Sequence, residues 1–332
     1  MILPIVAVLL GLGVLVWSAD KFVDGAVGVA RFCGMSTLLI GMVVVGFGTS
    51  APEMVVSALS AMQNAPELAL GNAYGSNIAN IALILGMTAI VSPVVVVRKA
   101  LFRDLPVLLA VTAVSFILML NGSVDRLDGV ILLVLFAVVM GLSIWNEMRR
   151  KSADGTVDAD DQGKPSLGKS LLWLLLGLVL LVASSRALVW GAVEIARALG
   201  VSDLLIGLTI VAVGTSLPEL ASSIAAARKG EDDLAFGNII GSNLFNTLAV
   251  VGIAATISPM HSFNASVLSR DFPVMATLTI FLLLFGLPVR KSRVDADGRR
   301  VGRINRIEGS VFLVAYVGYI GFLIAQATGI LG

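Results

Sequence analysis

Long apolar runs, separated by short polar connections, organise this chain. A helix needs about 20 apolar residues to cross a bilayer core of about 30 Å, and ten runs meet that length. The runs are continuous rather than alternating between polar and apolar residues, which excludes a membrane β-barrel. The pattern predicts helices over residues 2–30, 36–63, 68–91, 104–121, 127–146, 169–198, 203–228, 233–257, 271–289 and 306–329.

Composition supports the same picture, an all-α polytopic membrane protein with ten transmembrane helices. Of the 332 residues, 57% are hydrophobic and only 14% are charged, whereas soluble domains carry about 25% charged residues. The formal net charge of +1 gives no indication of a nucleic-acid partner. Cys33 is the single cysteine, so no disulfide can form within the chain. The chain starts with apolar rather than basic residues, so we expect a first spanning helix and not a cleaved signal.

The charges between the helices predict the orientation. Short cytoplasmic loops carry an excess of Lys and Arg, and here these residues concentrate in the connections after the first, third, fifth, seventh and ninth helices. The opposite face has Arg126, Arg197 and Arg270. Both termini should therefore lie outside, with the polar linker 147–168 in the cytoplasm.

Five charged residues of the first and sixth helices are expected to pair locally or to reach toward the membrane surface: Asp20, Lys21, Asp24, Arg186 and Glu194.

The two halves of the chain are copies of one another. A shift of 166 residues aligns 25–93 with 191–259 without a gap. Twelve of the twenty positions from Gly34 to Glu53 are identical to their partners in the second half, which indicates an internal duplication. Each half has five helices, an odd number, so the halves should cross the membrane in opposite directions, as in many secondary transporters. We assign 1–146 to the first half, with its repeated element at 34–93, and 169–332 to the second half, with its element at 200–259.

Each copy places a proline and a glutamate within an apolar run. Gly48-Thr49-Ser50-Ala51-Pro52-Glu53 returns as Gly214-Thr215-Ser216-Leu217-Pro218-Glu219. Proline has no N–H for the carbonyl four residues earlier, so each proline should free the carbonyl of the glycine that opens its motif and break the helix there. Glycine makes this local unwinding easier. An unpaired charge near the membrane centre costs at least about 2.5–3.5 kcal/mol, so Glu53 and Glu219 are expected to have a shared function.

The next helix of each half carries a second repeated element. It is Gly71-Asn72-Ala73-Tyr74-Gly75-Ser76-Asn77-Ile78-Ala79-Asn80 in the first half and Gly237-Asn238-Ile239-Ile240-Gly241-Ser242-Asn243-Leu244-Phe245-Asn246 in the second. Residues four apart lie on one helical face, so the serine and the final asparagine of each element can direct side-chain oxygens toward the first element. The glycines are expected to allow close helix packing. The alternative for the Ser and Asn side chains is a structural role, as hydrogen-bonded contacts between helices.

This set of ligands suits a hard cation. Ca²⁺ takes 6–8 oxygen ligands, and neither element contains a His or Cys that would favour zinc or copper. Two carboxylates about 6 Å apart repel each other by roughly 3 kcal/mol at an effective dielectric constant of 20. Without a cation, one of them should bind a proton or stay hydrated. One divalent ion removes the repulsion, as do two or three monovalent ions, and competition between these loads is the physical basis of exchange.

Together, the two elements resemble the alpha repeats of the sodium/calcium exchangers, within the cation/Ca²⁺ exchanger superfamily. The resemblance covers both repeats and the ten-helix plan. It implies transport by alternating access, in which the first and sixth helices slide across the others. It also implies an ion site in which Glu53 and Glu219 bind Ca²⁺ with the carbonyl groups of Thr49 and Thr215, while Ser50, Ser76, Ser216 and Ser242 bind Na⁺ with the carbonyl groups of Gly46 and Ala212, and Asn80 and Asn246 line the centre.

The sequence departs from the family pattern in two places. Some members carry an aspartate at one of the positions of Asn80 and Asn246, and its absence here bears on the sodium count and disfavours potassium dependence. The connection 147–168 is too short for the regulatory calcium-binding domains of animal exchangers. We expect a monomer without a cofactor and without enzymatic activity, with Na⁺ and Ca²⁺ as substrates, surrounded by lipid in the plasma (inner) membrane of a prokaryote.

Three other functions are compatible with intramembrane carboxylates. A proton/calcium exchanger, or one for another divalent cation, would use the same scaffold, although such relatives usually lack the Thr-Ser-x-Pro-Glu motif. An intramembrane protease is disfavoured because no separate nucleophile or water-activating motif is present. A channel can also have oxygen-lined sites at the membrane centre. Flux that needs no counter-ion would identify the channel.

Overall fold

A computed structural model of the chain describes residues 2–154, 166–201, 206, 209–210, 212–288, 293–294 and 300–328. Within those ranges, nine helices are long and apolar enough to cross a membrane, which confirms the predicted fold class, a helical polytopic membrane protein. The nine are α1 (Ile2–Cys33), α2 (Thr37–Met62), α3 (Pro66–Val91), α4 (Ala100–Met119), α5 (Arg126–Asp154), α6 (Leu167–Ala198), α8 (Asp232–Ile257), α9 (Val267–Phe285) and α10 (Arg306–Ala327). A tenth helix, α7, is described as two segments, Ala212–Thr215 and Leu217–Arg228.

The predicted linker and the seventh helix are described only in part. α5 continues to Asp154, because the residues after its apolar run are good helix formers that a hydrophobicity pattern does not register. Residues 155–165 of the linker lie outside the described residues, as do 202–205, 207–208 and 211 of the predicted seventh helix.

α4 and α9 each begin about one turn before their predicted starts. Both predictions began at an aspartate, Asp104 or Asp271. In the structure each aspartate lies inside the helix, paired with the arginine before it: Arg103 Nε lies 2.9 Å from Asp104 Oδ1, and Arg270 Nε lies 2.6 Å from Asp271 Oδ1. Because each charge is neutralised by its neighbour, the helix can include both residues.

The ends of α1 and α6 are built alike in the two halves. Gly34 and Gly200 follow these helices with φ of 61° and 81°, a left-handed conformation that favours glycine. The next residue reaches back across the last turn, with Met35 N donating to Ala30 O at 2.9 Å and Val201 N donating to Ala196 O at 3.0 Å. Such a glycine-centred cap ends the helix and satisfies one of its last carbonyl groups.

Five complete π-helical turns occur within the described residues, three inside membrane helices and two at their beginnings, and the hydrophobic pattern did not predict them. A π turn inserts one extra residue and shifts the faces of a helix that follow it, and such turns are frequent at functional sites. They occur in α2, α3, α4, α8 and α9 at Gly41–Val45, Asn80–Leu85, Ala100–Asp104, Phe245–Val250 and Val267–Asp271.

Three short strands form a small antiparallel sheet that the sequence analysis also missed. They are β1 (Val94–Val96), β2 (Arg293–Val294) and β3 (Arg300–Ile304), in the spatial order β1–β3–β2. Val95 lies opposite Arg303, and Val294 lies opposite Arg300. The sheet joins the connection after α3 to the connection before α10, so both lie on one side of the membrane. Strands this short leave no signal in a search for membrane-spanning runs.

α1 and α6 pack against each other as a close antiparallel pair. A Cβ atom at Gly25 of α1 would lie 2.7 Å from Ser170 O of α6, and one at Gly191 of α6 would lie 2.6 Å from Pro4 O of α1. The shift of 166 residues converts one contact into the other. The glycines therefore bring the two backbones together in the same way at both ends of the pair.

The interior of the molecule lies around α3 and α8. Within the most apolar stretch of each helix, 72% of the α3 residues and 89% of the α8 residues are buried in the protein, against 22% for α1 and 28% for α6. The helices that carry the second repeated element are thus central, and the α1–α6 pair is peripheral.

Candidate cation site

The two predicted acids lie together in the interior. Glu53 of α2 and Glu219 of α7 are each only 3% exposed. Their carboxyl groups are close enough to interact electrostatically. Residues from the two halves, far apart along the chain, therefore share one buried polar site.

In α2, the first repeated element stays helical. Pro52 lies inside the continuous helical segment Gly46–Met62, so no break occurs at Gly48 and Pro52, in contrast to the prediction. A π turn precedes this segment, and the Thr49 hydroxyl group donates a hydrogen bond to the Val45 carbonyl at 3.1 Å. Membrane helices accommodate proline where π turns and nearby hydroxyl groups satisfy the backbone.

In α7, the same element does interrupt the helix, as predicted for Gly214 and Pro218. The interruption falls at Ser216, between the two helical segments of α7. Pro218 has no N–H to donate, and the Gly214 carbonyl instead accepts a hydrogen bond from Ser185 Oγ of α6 at 3.1 Å. A side chain of another helix thus contacts the backbone group that the proline leaves without its usual partner.

Three predicted ligands accompany this interruption. Ser216 is 2% exposed, whereas the side chain of Thr215 is exposed. Ala212 begins the first helical segment of α7, directly after residue 211, which lies outside the described residues. The two hydroxyl-bearing residues of the second half therefore differ in burial, although Thr49 and Ser50 of the first half are both fully buried.

The second repeated elements bring four predicted ligands into the interior. Ser76 and Asn80 of α3 are 8% and 2% exposed. Ser242 and Asn246 of α8 are 0% and 1% exposed. Asn80 begins the π turn of α3, and Asn246 lies within the π turn of α8. The sequence thus places both asparagines at distorted turns of the two most buried helices.

Six of these side chains have a buried polar atom without a hydrogen-bond partner in the protein. A buried polar group left in this condition costs about 1–3 kcal/mol, so native proteins have few of them. Five of the six atoms are oxygens, which suit hard cations, whereas Asn80 Nδ2 is an amide nitrogen and can only donate a hydrogen bond. The described residues contain no cluster of three or more His, Cys, Asp or Glu side chains. The atoms are Ser50 Oγ, Glu53 Oε2, Asn80 Nδ2, Glu219 Oε2, Ser242 Oγ and Asn246 Oδ1.

Asn238 is a further part of this cluster that the sequence analysis did not single out. Its amide group donates hydrogen bonds to Ser222 Oγ at 3.2 Å and to Ser223 Oγ at 3.0 Å. Its carbonyl oxygen accepts one from Thr49 Oγ1 at 3.2 Å, across the two halves. The aligned Asn72 donates to Ser57 at 3.5 Å. The recurrence of this Asn–Ser pair at the repeat spacing was the signal that could have identified it.

A second pair of missed residues lies one position after the ligand serines. Asn77 and Asn243 are each 1% exposed. The Asn77 amide donates to Thr247 Oγ1 at 2.7 Å, but its Oδ1 has no partner, and neither amide atom of Asn243 has one. Both asparagines belong to the repeated element, but they do not lie four residues from its final asparagine, so the spacing that indicates one helical face does not include them.

The predicted packing role of the glycines holds in α8. A Cβ atom at Gly241 would lie 2.7 Å from the Met42 Cα atom of α2. A Cβ atom at Gly46, whose carbonyl is a predicted ligand, would lie 3.2 Å from Ser242 N. In α3, by contrast, no atom of the described residues lies within 4 Å of a Cβ built at Gly71 or Gly75. Glycine therefore allows α2 and α8 to meet backbone to backbone beside the site.

The charged residues of α1 and α6 do more than pair locally. Lys229 Nζ, in the connection between α7 and α8, lies 2.7 Å from Asp20 Oδ1 and 2.6 Å from Asp24 Oδ1 of α1. Arg186 of α6 interacts electrostatically with Glu53. The expected local pairs are present as well: Lys21 Nζ lies 3.6 Å from Asp20 Oδ2 and from Asp24 Oδ2 within α1, and Arg197 Nη1 lies 3.3 Å from Glu194 Oε1 within α6. The expectation of local pairing was incomplete, because it considered neighbours within one helix and not those across helices.

A helical membrane bundle with a polar, acidic centre shared by two copies of one element has the architecture of a secondary transporter. A family model described as "sodium/calcium exchanger protein" matches residues 3–145 and 169–325. The chain therefore belongs to the sodium/calcium exchanger family, and its class of activity is cation/Ca²⁺ exchange.

Individual relatives match along nearly the whole chain. CaxA from Alkalimonas amylolytica is 44% identical over 322 residues, which cover 96% of this chain and 98% of CaxA. The inner membrane protein YrbG from Escherichia coli K12 is 40% identical over 308 residues, which cover 91% of this chain and 93% of YrbG. A structure of the sodium-calcium exchanger NCX_Mj superposes with a TM-score of 0.80 at 33% identity, covering 97% of this chain and 99% of NCX_Mj.

Proposed function

We propose that this protein is a secondary active antiporter that exchanges Na⁺ for Ca²⁺ by alternating access. One observation carries the proposal: the buried carboxyl groups of Glu53 and Glu219 interact with each other among polar atoms that have no partner in the protein. Membership of the sodium/calcium exchanger family supports it, as does the similarity to a protein named as a sodium-calcium exchanger.

The proposed ligands bind two kinds of cation, Ca²⁺ and Na⁺. Ca²⁺ binds to the carboxylates of Glu53 and Glu219, which together balance its charge. Na⁺ ions bind to the same carboxylates together with serine hydroxyl groups and backbone carbonyl groups. The supporting ligands are the carbonyl groups of Thr49 and Thr215 for Ca²⁺, and for Na⁺ the side chains of Ser50, Ser76, Ser216 and Ser242 with the carbonyl groups of Gly46 and Ala212, while Asn80 and Asn246 line the centre.

Exchange follows from the charge of this site. Two buried carboxylates favour either one divalent ion or two to three monovalent ions, so binding of Ca²⁺ displaces Na⁺ and binding of Na⁺ displaces Ca²⁺. If three Na⁺ ions replace one Ca²⁺ ion, the loaded site differs by one elementary charge. Moving that charge across 100 mV is worth about 2.3 kcal/mol, so we expect the exchange rate to respond to the membrane potential.

Proton coupling is the second candidate. Two buried carboxyl groups that repel each other cannot both stay ionised without a counter-charge, so a proton is an alternative ion to bind at Glu53 or Glu219. A proton/Ca²⁺ exchanger, or one for another divalent cation, would use the same residues.

The experiment is Ca²⁺ uptake into proteoliposomes under imposed gradients. Vesicles loaded with Na⁺, with K⁺ or at a low internal pH are diluted into Ca²⁺ buffer without Na⁺. We expect rapid uptake from the Na⁺-loaded vesicles and background uptake from the other two. Uptake driven by the pH gradient in the absence of Na⁺ would assign proton coupling instead. Uptake that needs no counter-ion would indicate a channel, and no uptake under any gradient would contradict the exchanger.

The proposal includes the setting of the protein. It acts as a monomer without a cofactor and without enzymatic activity, in the plasma (inner) membrane of a prokaryote, with both termini outside and the linker 147–168 in the cytoplasm. The name of the relative YrbG, an inner membrane protein, supports the location, and the distribution of Lys and Arg supports the orientation.

Cysteine labelling tests the orientation. In a Cys33→Ser background, Asn121→Cys and Arg98→Cys place single thiols at exposed positions in connections on opposite faces. A membrane-impermeant maleimide on intact cells should label position 121, and position 98 only after permeabilisation. The reverse pattern would contradict the orientation.

A further inference from the structure

Ser185 of α6 provides the one described contact to the backbone group that Pro218 leaves without its usual donor. Its hydroxyl group donates to the Gly214 carbonyl at 3.1 Å. Ser185 is 4% exposed and Gly214 is buried, so water does not compete freely for this carbonyl. The hydrogen bond therefore replaces, from another helix, the backbone N–H that position 218 lacks.

The neighbouring residue, Ser184, has a hydroxyl group that bonds within its own helix. Ser184 Oγ donates to Leu181 O at 3.1 Å within α6, and the aligned Ser18 Oγ donates to Leu15 O at 3.1 Å within α1. Both halves share this local bond. At the next position the halves differ, because Ser185 aligns with Ala19, which has no hydroxyl group. The contact at Ser185 is thus peculiar to the second half, as is the interruption of α7.

α6 also packs directly on both copies of the first element. A Cβ atom at Gly214 would overlap the side chain of Val189, and one at Gly48 would lie 2.9 Å from the side chain of Leu178. Gly214 immediately precedes Thr215, whose carbonyl is a proposed Ca²⁺ ligand, and lies five residues before Glu219. A displacement of the Gly214 peptide would therefore move both ligands.

We propose that Ser185 is a positioning residue of the cation site, which fixes the Gly214–Thr215 peptide through its hydroxyl group and so couples helix α6 to the Ca²⁺ ligands of α7. This inference rests on the proposed function. The hydroxyl group holds the Gly214–Thr215 peptide in the geometry that binds the ion. Through the same hydrogen bond, a movement of this peptide displaces α6. The first half has no such coupling through α1 at the aligned position.

The test compares four variants in purified protein: Ser185→Ala, Ser185→Thr, Ser185→Cys and, as the matched control, Ser184→Ala. Ca²⁺ affinity is measured by isothermal titration calorimetry and thermal unfolding by scanning fluorimetry. Loss of one neutral hydrogen bond corresponds to about a five-fold change in an equilibrium constant. We expect about five-fold weaker Ca²⁺ binding for Ser185→Ala, an intermediate loss for Ser185→Cys, and affinities within two-fold of wild type for Ser185→Thr and Ser184→Ala.

A second measurement uses the proline itself. Pro218→Ala restores a backbone N–H at position 218, so the additional Ser185→Ala change should then weaken Ca²⁺ binding by less than two-fold. A purely structural role would lower the unfolding temperature of Ser185→Ala without changing its Ca²⁺ affinity, and that result would overturn the proposal. If Ser185→Ala does not fold, equal affinities of the Thr and Cys variants would overturn it. Wild-type protein that binds no Ca²⁺ would contradict the proposed function itself and not this inference alone.

Discussion

At the scale of residues, the carboxyl groups could be found from sequence and much of their environment could not. Glu53 and Glu219 are conspicuous because an acid within an apolar run is costly, and their repeat spacing links them to each other. Asn238 is different, because its importance comes from contacts to Thr49, Ser222 and Ser223 that only the packed helices create. A repeated motif gives candidates, and the fold decides which of them meet.

The carboxylates should be essential for exchange. Glu53→Gln and Glu219→Gln keep the shape of each side chain and remove the charge that binds the cation, so Na⁺-driven Ca²⁺ uptake should fall to the level of empty vesicles. Glu67→Gln is the control, since Glu67 is exposed in the first turn of α3. Wild-type uptake by either of the two buried variants would refute the site.

Asn238 should be more important for stability than its repeat partner. Asn238→Ala leaves the buried Ser223 hydroxyl group without its hydrogen-bond partner, whereas Ser222 and Thr49 keep bonds to backbone carbonyls. An unsatisfied group of this kind costs about 1–3 kcal/mol, so the unfolding temperature should fall by roughly 3 °C for a loss of about 2 kcal/mol. Asn72→Ala removes one long hydrogen bond, to Ser57 at 3.5 Å, and should have less effect. Thermal unfolding in detergent measures both, and equal losses would contradict the assignment.

At the scale of elements, the long helices were predictable and the irregular ones were not. Apolar runs predicted nine helices within about one turn of their observed bounds, except at the end of α5, which continues to Asp154, because a membrane span depends on length and composition alone. The π turns at Asn80–Leu85 and Phe245–Val250 depend on how α3 and α8 pack around the site, so the hydrophobic period did not reveal them. Pro52 and Pro218 show the same limit, since one motif is helical in α2 and interrupted in α7.

The contact between α1 and α6 should not tolerate a methyl group at its glycines. Gly25→Ala would place Cβ 2.7 Å from the Ser170 carbonyl oxygen, and backbone atoms cannot move aside as a flexible side chain can. Overpacking of this kind costs about 1–3 kcal/mol. Gly13→Ala lies on the same helix with nothing described within 4 Å, and should be neutral or slightly stabilising. Unfolding temperatures compare the two, and equal values would show that the helices separate without cost.

At the scale of the whole molecule, a peripheral helix is attached to the rest by charges as well as by packing. Lys229 donates to the Asp20 carbonyl at 2.9 Å and contacts both Asp20 and Asp24 side chains. These bonds connect α1 to the connection between α7 and α8. The charge pattern along the sequence suggested local pairing, because it contains no information about which connection lies beside α1.

This attachment should depend on pH in a defined direction. Burial alone lowers the pKa of Lys229, but the hydrogen bonds to Asp20 and Asp24 outweigh it and raise the pKa above its ordinary value of 10.5. A raised pKa means that the charged lysine stabilises the folded state below pH 10.5 and that this contribution is lost as the pH rises through the folded value.

Lys229→Met should therefore lower the unfolding temperature at pH 8, and its difference from wild type should begin to shrink above pH 10.5 and disappear once the pH exceeds the raised pKa of Lys229 in the folded protein. Lys21→Met is the control, because Lys21 lies 3.6 Å from Asp20 and Asp24 within α1 itself and should contribute little. A difference between wild type and Lys229→Met that persists undiminished at high pH would exclude the charge as its cause.

The glycine contacts between α1 and α6 have a consequence for the origin of the chain. Gly25 meets Ser170 and Gly191 meets Pro4, so each side of the interface is a copy of the other. Identical subunits make such an isologous interface about a two-fold axis. A polypeptide of half this length, inserted into the bilayer in both directions, would place its glycine against the backbone of an oppositely oriented second subunit. The junction of α1 and α6 thus preserves the geometry of a symmetric dimer whose subunits became one chain.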